Sequence, residues 1–171
     1  MRAFIAYFLK EDLKEKIEKI QKELKNLNAF QAKFVEKENL HLSFTFLGEV
    51  EDVNPIIKKL ESFRNYGKIE AKLKNLLLIP SKEYFRVIAI GVESDKAEKL
   101  RKEIFEKIGG DSKPLHLTLC RVKSVSNKQK VLEYQQKFNF EKDIVIDKIC
   151  LVKSTLTFSG PIYEIIHEIS L

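Results

Sequence analysis

One five-residue pattern occurs twice in the chain, as LHLSF at Leu40–Phe44 and as LHLTL at Leu115–Leu119. Each copy places a hydroxyl residue two positions after a histidine. Residues two apart in a β-strand project from the same face, so each histidine is expected beside its own serine or threonine. The residues between them would point into a core. Because the chain has only three histidines, finding two of them in one pattern favours a functional role over packing.

The segments around the first motif alternate between strand-like and helix-like patterns. Helices are indicated by apolar residues at helical spacing among Lys and Glu, and strands by short apolar or aromatic runs. The predicted elements, in order, are strand Arg2–Leu9, helix Glu11–Leu27, strand Leu40–Leu47, helix Val53–Phe63 and strand Lys68–Ile79.

The second half repeats this order and places its own histidine motif in the same position. Its predicted elements are strand Phe85–Val92, helix Asp95–Ile108, strand Leu115–Val122, helix Asn127–Phe138, strand Asp143–Val152 and a final strand Ile162–Ile169. The sequence therefore predicts one α+β domain over residues 1–171, with two similar β-α-β-α-β lobes. Their approximate ranges are 1–80 and 81–171, and the C-terminal strand can return to the first lobe.

Composition narrows the functional class. The apolar runs are too short to cross a bilayer, which needs about 20 residues. Two cysteines, Cys120 and Cys150, are too few for a disulfide framework or a Cys-rich metal site, and a cytoplasmic location is expected. The net charge of +6 favours an anionic partner such as a polynucleotide, although solvated helix faces would account for it equally well.

Two imidazoles and two hydroxyls around one cleft would suit a phosphate diester. Hydrolysis needs a base to take a proton from water and an acid to protonate the leaving oxygen, and imidazole can serve either task. Hydroxyls can hydrogen-bond the non-bridging oxygens. This chemistry demands neither a metal nor a cofactor, and both motifs lie in one chain, so a monomer suffices.

The sequence resembles the two-histidine phosphoesterases, in particular the RNA 2′,3′-cyclic phosphodiesterases related to bacterial 2′-5′ RNA ligases. Four segments carry this resemblance in family order: Arg2–Ala6, Asn39–Val50, His116–Lys123 and Lys153–Tyr163. It implies the two-histidine phosphoesterase fold, with antiparallel-rich sheets flanking a central cleft. It also implies that RNA with a cyclic phosphate end is the substrate.

The resemblance also implies residue roles. His41 would donate a proton to the leaving 3′-oxygen and His116 would accept one from water, which yields a 2′-phosphate. Ser43 and Thr118 would bind the phosphate, with Ser43 standing where the family pattern most often has threonine. Arg121 is a further candidate phosphate ligand. Strict strand alternation places Arg121 on the other face of the sheet from His116, so Arg121 can reach the phosphate only if a bulge or a strand end changes its direction.

Other hypotheses remain open at this point. The same acid and base could ligate or cleave 2′-5′ linkages, or the cleft could bind RNA ends without chemistry. A metal-dependent phosphodiesterase is disfavoured because the histidines are scattered. His167 and Cys120 are interpreted as structural residues, and three aromatic residues are candidates for stacking on a base: Tyr7, Phe46 and Phe158.

Overall fold

The computed structural model describes all 171 residues and confirms the α+β class. It contains nine strands, four α-helices and one 3₁₀ turn at Lys37–Asn39. The strands are β1 Arg2–Phe8, β2 Phe30–Phe34, β3 His41–Glu49, β4 Ile69–Pro80, β5 Phe85–Glu93, β6 His116–Val125, β7 Glu141–Ile146, β8 Lys148–Thr157 and β9 Gly160–Ser170. The helices are α1 Glu11–Asn26, α2 Asn54–Glu61, α3 Asp95–Ile108 and α4 Lys128–Lys137.

All nine strands join one antiparallel sheet, in the order β7-β4-β5-β6-β3-β1-β8-β9, with β2 paired to β6. The sheet curls into a half-barrel, which brings its distant strands together. The Tyr7 hydroxyl of β1 donates to the Val145 carbonyl of β7 at 3.2 Å. Lys10 Nζ, just after β1, lies 3.0 Å from the carboxylate of Asp147, the residue that separates β7 from β8.

Two sequence expectations need correction. The single strand predicted over Asp143–Val152 is two strands that separate at Asp147, because β7 pairs with β4 whereas β8 pairs with β1. Strand β2 was not predicted. Its pattern, FQAKF, does alternate apolar and polar residues, but five residues after a long helix give a weak signal.

Each half of the chain contributes one strand that pairs with strands of the other half. These strands are β4 from the first half and β8 from the second. Strand β4 lies between β5 and β7, whereas β8 lies beside β1 and carries β9 at its outer edge. The two sides of the sheet are therefore not continuous in sequence. The lobe ranges 1–80 and 81–171 remain a prediction about the repeat in chain order.

The helices cover one face of the sheet. All four helices bury apolar side chains in one core, which also contains Leu42 and Leu117 of the sheet. Examples from α1 to α4, in order, are Leu24, Leu60, Leu100 and Val131. The opposite face carries only a small apolar cluster and otherwise forms an open cleft. None of the helices has the length and apolar character that a bilayer crossing requires.

Candidate active site

The two histidine motifs meet where the two sides of the sheet join. Strands β3 and β6 are antiparallel and are paired only through Leu42 and Leu117, both fully buried. This register puts His41 across from Thr118, and Ser43 across from His116. Because residues on either side of a buried residue project to the opposite face, all four side chains reach the same cleft. The cleft has a volume of about 750 Å³.

Both imidazoles are held through the same nitrogen. His41 Nδ1 lies 2.7 Å from the Asn39 carbonyl oxygen, and His116 Nδ1 lies 3.0 Å from that of Pro114. A carbonyl oxygen can only accept, so Nδ1 carries the proton in each ring. The Nε2 atom of each histidine is therefore left for proton transfer. The two anchors are equivalent, since each lies two residues before its histidine.

Aromatic rings surround His41. Its ring centroid lies 5.0 Å from that of Phe4, 5.7 Å from that of Phe8 and 5.5 Å from that of Tyr163. The pKa of His41 is lowered to about 4. Burial is the largest cause and the positive charges of Arg121 and His116 add to it, whereas the hydrogen bond to the Asn39 carbonyl acts in the opposite direction. His41 is therefore neutral at pH 7 in the free protein.

The lowered pKa of His41 predicts that stability falls with acid. The folded protein holds this proton with a pKa of about 4 and the unfolded chain with a pKa of 6.5, so unfolding is favoured as pH falls between these values. Between pH 7 and pH 4, wild type should lose about 1 to 3 kcal/mol of unfolding free energy relative to His41→Gln. Urea unfolding of both proteins across this range measures the difference. Parallel pH profiles would contradict the burial of His41 as a neutral group.

A bulge brings Arg121 into the cleft. The partners of β6 in β5 shift register between Thr118 and Cys120, and Leu119 and Cys120 are both buried. The extra residue reverses the alternation, so Arg121 is exposed and lines the cleft beside His116. The structure thus contains the bulge that a place for Arg121 in the cleft requires. The role of Arg121 in binding phosphate remains a prediction.

The first motif has the matching bulge. In β3, Phe44 and Thr45 are both buried, and the pairing with β1 shifts register between Ser43 and Thr45. Phe46 therefore lines the cleft at the position equivalent to Arg121, five residues after its histidine. The guanidinium of Arg2 lies 5.3 Å from the centre of its ring. The two sides of the cleft thus differ in chemistry, with a cation on one side and an aromatic ring on the other.

Thr45 fixes the loop that leads into the second motif. Its hydroxyl lies within hydrogen-bonding distance of the carbonyl oxygens of Gly109 and Asp111, at 2.8 and 3.0 Å. The Asp111 carboxylate in turn accepts from the Phe46 backbone N–H at 2.7 Å. Gly110 has a φ of +96°, and a Cβ there would collide with Thr45 and with the Phe46 carbonyl. This loop is therefore held against β3 before His116.

Several residues that line the cleft were not identified as site residues from the sequence. Asn39 is buried, and its side-chain amide donates to the Pro161 carbonyl at 3.0 Å, which ties the β8–β9 hairpin to the segment before His41. Tyr163 packs against His41, and the only sequence signal for it was its place at the end of the resembling segment Lys153–Tyr163. Three further cations also line the cleft: Arg2, Lys33 and Lys113.

Other residues singled out in the sequence lie outside the cleft. Tyr7 is buried in the core and cannot stack on a base. Burial also raises the pKa of the Cys120 thiol to about 12, which agrees with a structural role. His167 Nε2 lies 2.6 Å from Glu61 Oε1, in a contact between β9 and α2. Phe158 is fully exposed at the turn between β8 and β9.

Comparison with known proteins agrees with this architecture. Residues 8–89 match the model of the LigT-like phosphoesterases. An RNA 2′,3′-cyclic phosphodiesterase of Methanocaldococcus jannaschii is 39% identical, and the alignment covers 98% of this chain and 99% of that protein.

Solved structures share the fold at lower sequence identity. A Thermus thermophilus protein superposes with a TM-score of 0.77 at 22% identity, covering 100% of this chain and 98% of that one. Escherichia coli LigT in complex with 3′-AMP superposes with a TM-score of 0.69 at 19% identity, covering 99% and 96%. With its full-length relative at 39% identity and this fold, the chain belongs to the LigT-like phosphoesterase family, in the group of the RNA 2′,3′-cyclic phosphodiesterases.

Proposed function

We propose that this protein hydrolyses RNA 2′,3′-cyclic phosphate ends to 2′-phosphates by histidine acid and base catalysis without a metal. The observation that carries the proposal is the pair of imidazoles on adjacent antiparallel strands. Each is anchored through Nδ1 and lines the same cleft. The activity of the Methanocaldococcus jannaschii relative supports the choice of substrate.

The reaction uses one proton at each histidine. His116 Nε2 takes a proton from water as the water oxygen attacks phosphorus. The bond between phosphorus and the 3′-oxygen breaks, and that oxygen takes the proton of His41 Nε2. A 2′-phosphate and a free 3′-hydroxyl result. After the reaction His116 is protonated and His41 is neutral, and both rings return to their starting states by proton exchange with solvent.

The environment of His41 suits a proton donor. Burial and the nearby charge of Arg121 weaken its hold on a proton, which makes the imidazolium a stronger acid. A bound phosphate diester brings a negative charge into the same cleft and favours the protonated ring. His41 would therefore gain its proton together with the substrate and release it readily to the leaving oxygen.

Three side chains would hold the phosphate between the histidines. Ser43 and Thr118 flank the buried pair Leu42 and Leu117, so their hydroxyls reach the cleft from opposite strands. Arg121 adds a guanidinium, whose planar donors match two oxygens of a phosphate. Such fixed donors stabilise the charge that builds on phosphorus during attack.

The proposal is tested with a short RNA that ends in a 2′,3′-cyclic phosphate, incubated with EDTA. We expect complete conversion to the 2′-phosphate, detected by mass spectrometry and by the resistance of the product to a 3′-specific phosphatase. A 3′-phosphate product would contradict the assigned direction of attack. Activity that EDTA abolishes and added metal restores would contradict metal-independent catalysis. Tight binding without turnover would instead favour a module that only holds RNA ends.

A further inference from the structure

The β8–β9 hairpin exposes apolar side chains on the face that forms the cleft. Leu156 pairs with Pro161, and both line the cleft together with Tyr163. Ile165 pairs with Val152 and follows Tyr163 on the same face. Leu156 is 65% exposed and Ile165 is 51% exposed, while Phe158 at the turn exposes its whole side chain. We call Leu156, Phe158 and Ile165 the hairpin strip.

The hairpin strip continues the cleft beyond the reacting centre. Leu156 belongs to both, so a molecule that extends out of the cleft along the hairpin would meet the strip next. Large apolar side chains that are exposed together on a charged protein are characteristic of an interaction surface. Beside the strip, Phe4 and Val152 are buried in a small apolar cluster, so these two side chains do not add to the exposed apolar surface.

Cations flank the hairpin strip where it leaves the cleft. Lys33 Nζ donates to the Ser159 carbonyl at the turn, at 3.2 Å, and Arg2 pairs with Ser154 at the start of the exposed part of β8. The acidic side chains nearby are Glu36, Glu164 and Glu168. Glu36 lies against Gly160, Glu164 precedes Ile165 and is paired in register with Lys153, and Glu168 contacts Cys150 at the far end. Apolar side chains between two cations fit a single-stranded polynucleotide, whose bases stack and whose phosphates are negative.

We infer that the hairpin strip binds the bases of the nucleotides that precede the reacting end of an RNA chain. This inference rests on the proposed function, since it assigns a binding surface to the part of the RNA substrate that lies outside the cleft. The strip would raise affinity for oligonucleotides without taking part in the chemistry. It would therefore make the enzyme prefer an RNA end to a cyclic mononucleotide.

The test compares the Phe158→Ser/Ile165→Ser double variant with wild type on two substrates. These are 2′,3′-cyclic AMP and an RNA of about eight nucleotides that ends in the cyclic phosphate. We expect KM for the RNA to rise about tenfold, the equivalent of roughly one lost stacked base, and kinetics on cyclic AMP to stay within about twofold. Ile162→Ser is the matched control, since Ile162 is 60% exposed on the opposite face of β9. It should leave both substrates unaffected.

A binding measurement separates this inference from the proposed function. Fluorescence anisotropy with the same RNA carrying a 3′-phosphate reports affinity whether or not turnover occurs. If wild type hydrolyses neither substrate, the proposed function is wrong, and about tenfold weaker RNA binding by the double variant still supports the strip. Equal RNA affinity of wild type and the double variant overturns the inference. A wild-type dimer that the double variant breaks, with RNA affinity unchanged, would assign the strip to self-association instead.

Discussion

Replacing either His41 or His116 with alanine is expected to lower turnover of an RNA 2′,3′-cyclic phosphate by about a hundredfold or more. In the proposed mechanism each imidazole supplies one of the two proton transfers, so neither histidine can replace the other. The hydrogen bonds at Nδ1 are the reason that a large loss is expected from each replacement. Each ring is already oriented by a backbone carbonyl, so its Nε2 is positioned before substrate arrives. Initial rates at saturating substrate measure the effect.

The third histidine provides the matched control. His167 contacts Glu61 outside the cleft, so His167→Ala should keep kcat within about twofold while it removes the same ring. The double variant His41→Ala/His116→Ala should lose little more than the worse single variant, because the two groups act on one displacement. Turnover that neither single replacement lowers would contradict the acid and base mechanism. Circular dichroism confirms that each variant is folded.

The sequence predicts the two motif strands well because their signal is local. A histidine and a hydroxyl two residues apart, between buried leucines, define which face of β3 and β6 is polar. That the two strands are neighbours could be inferred only from the repetition of the motif. The single pair Leu42 and Leu117 that joins them depends on long-range topology, and no local pattern encodes it.

The bulges mark the limit of such reasoning. Arg121 reaches the cleft only because Leu119 and Cys120 are both buried, and Phe46 does so because Phe44 and Thr45 are. A run of two residues that can both be buried is common in sequences. It specifies a bulge only when the neighbouring strand shows where the register shifts. The same dependence on a distant partner explains why β7 and β8 looked like one strand, since they separate at Asp147 to join opposite sides of the sheet.

Asn39 illustrates a different kind of failure. Its side-chain amide holds the β8–β9 hairpin at Pro161, and its backbone carbonyl anchors the His41 ring. Neither contact is visible in the sequence, because Pro161 lies far along the chain. Asparagine before a strand is also common at ordinary turns. Asn39 begins one of the segments that carry the family resemblance, but the resemblance assigned it no role.

Replacing Arg121 with glutamine is expected to lower kcat/KM for the cyclic phosphate by about 10- to 100-fold, the range for a lost charge-assisted hydrogen bond. The loss should appear mainly in KM if the guanidinium binds the ground-state phosphate, and in kcat if it acts on the transition state. Arg121→Lys restores the charge without the planar pair of donors, so it should recover only part of the activity. Full activity in Arg121→Gln would exclude a role for this residue in binding phosphate.

The pH profile distinguishes this role from simple loss of structure. Burial is the main reason that the pKa of His41 lies near 4, and the charge of Arg121 lowers it further. Removing that charge should raise the pKa of His41, so the protonated acid persists to higher pH. The limb of the kcat/KM profile that the titration of His41 governs should therefore move to higher pH in Arg121→Gln, even as the maximum falls. A misfolded or loosened cleft would lose rate without this directed shift, and an unmoved limb would show that Arg121 does not act electrostatically on His41.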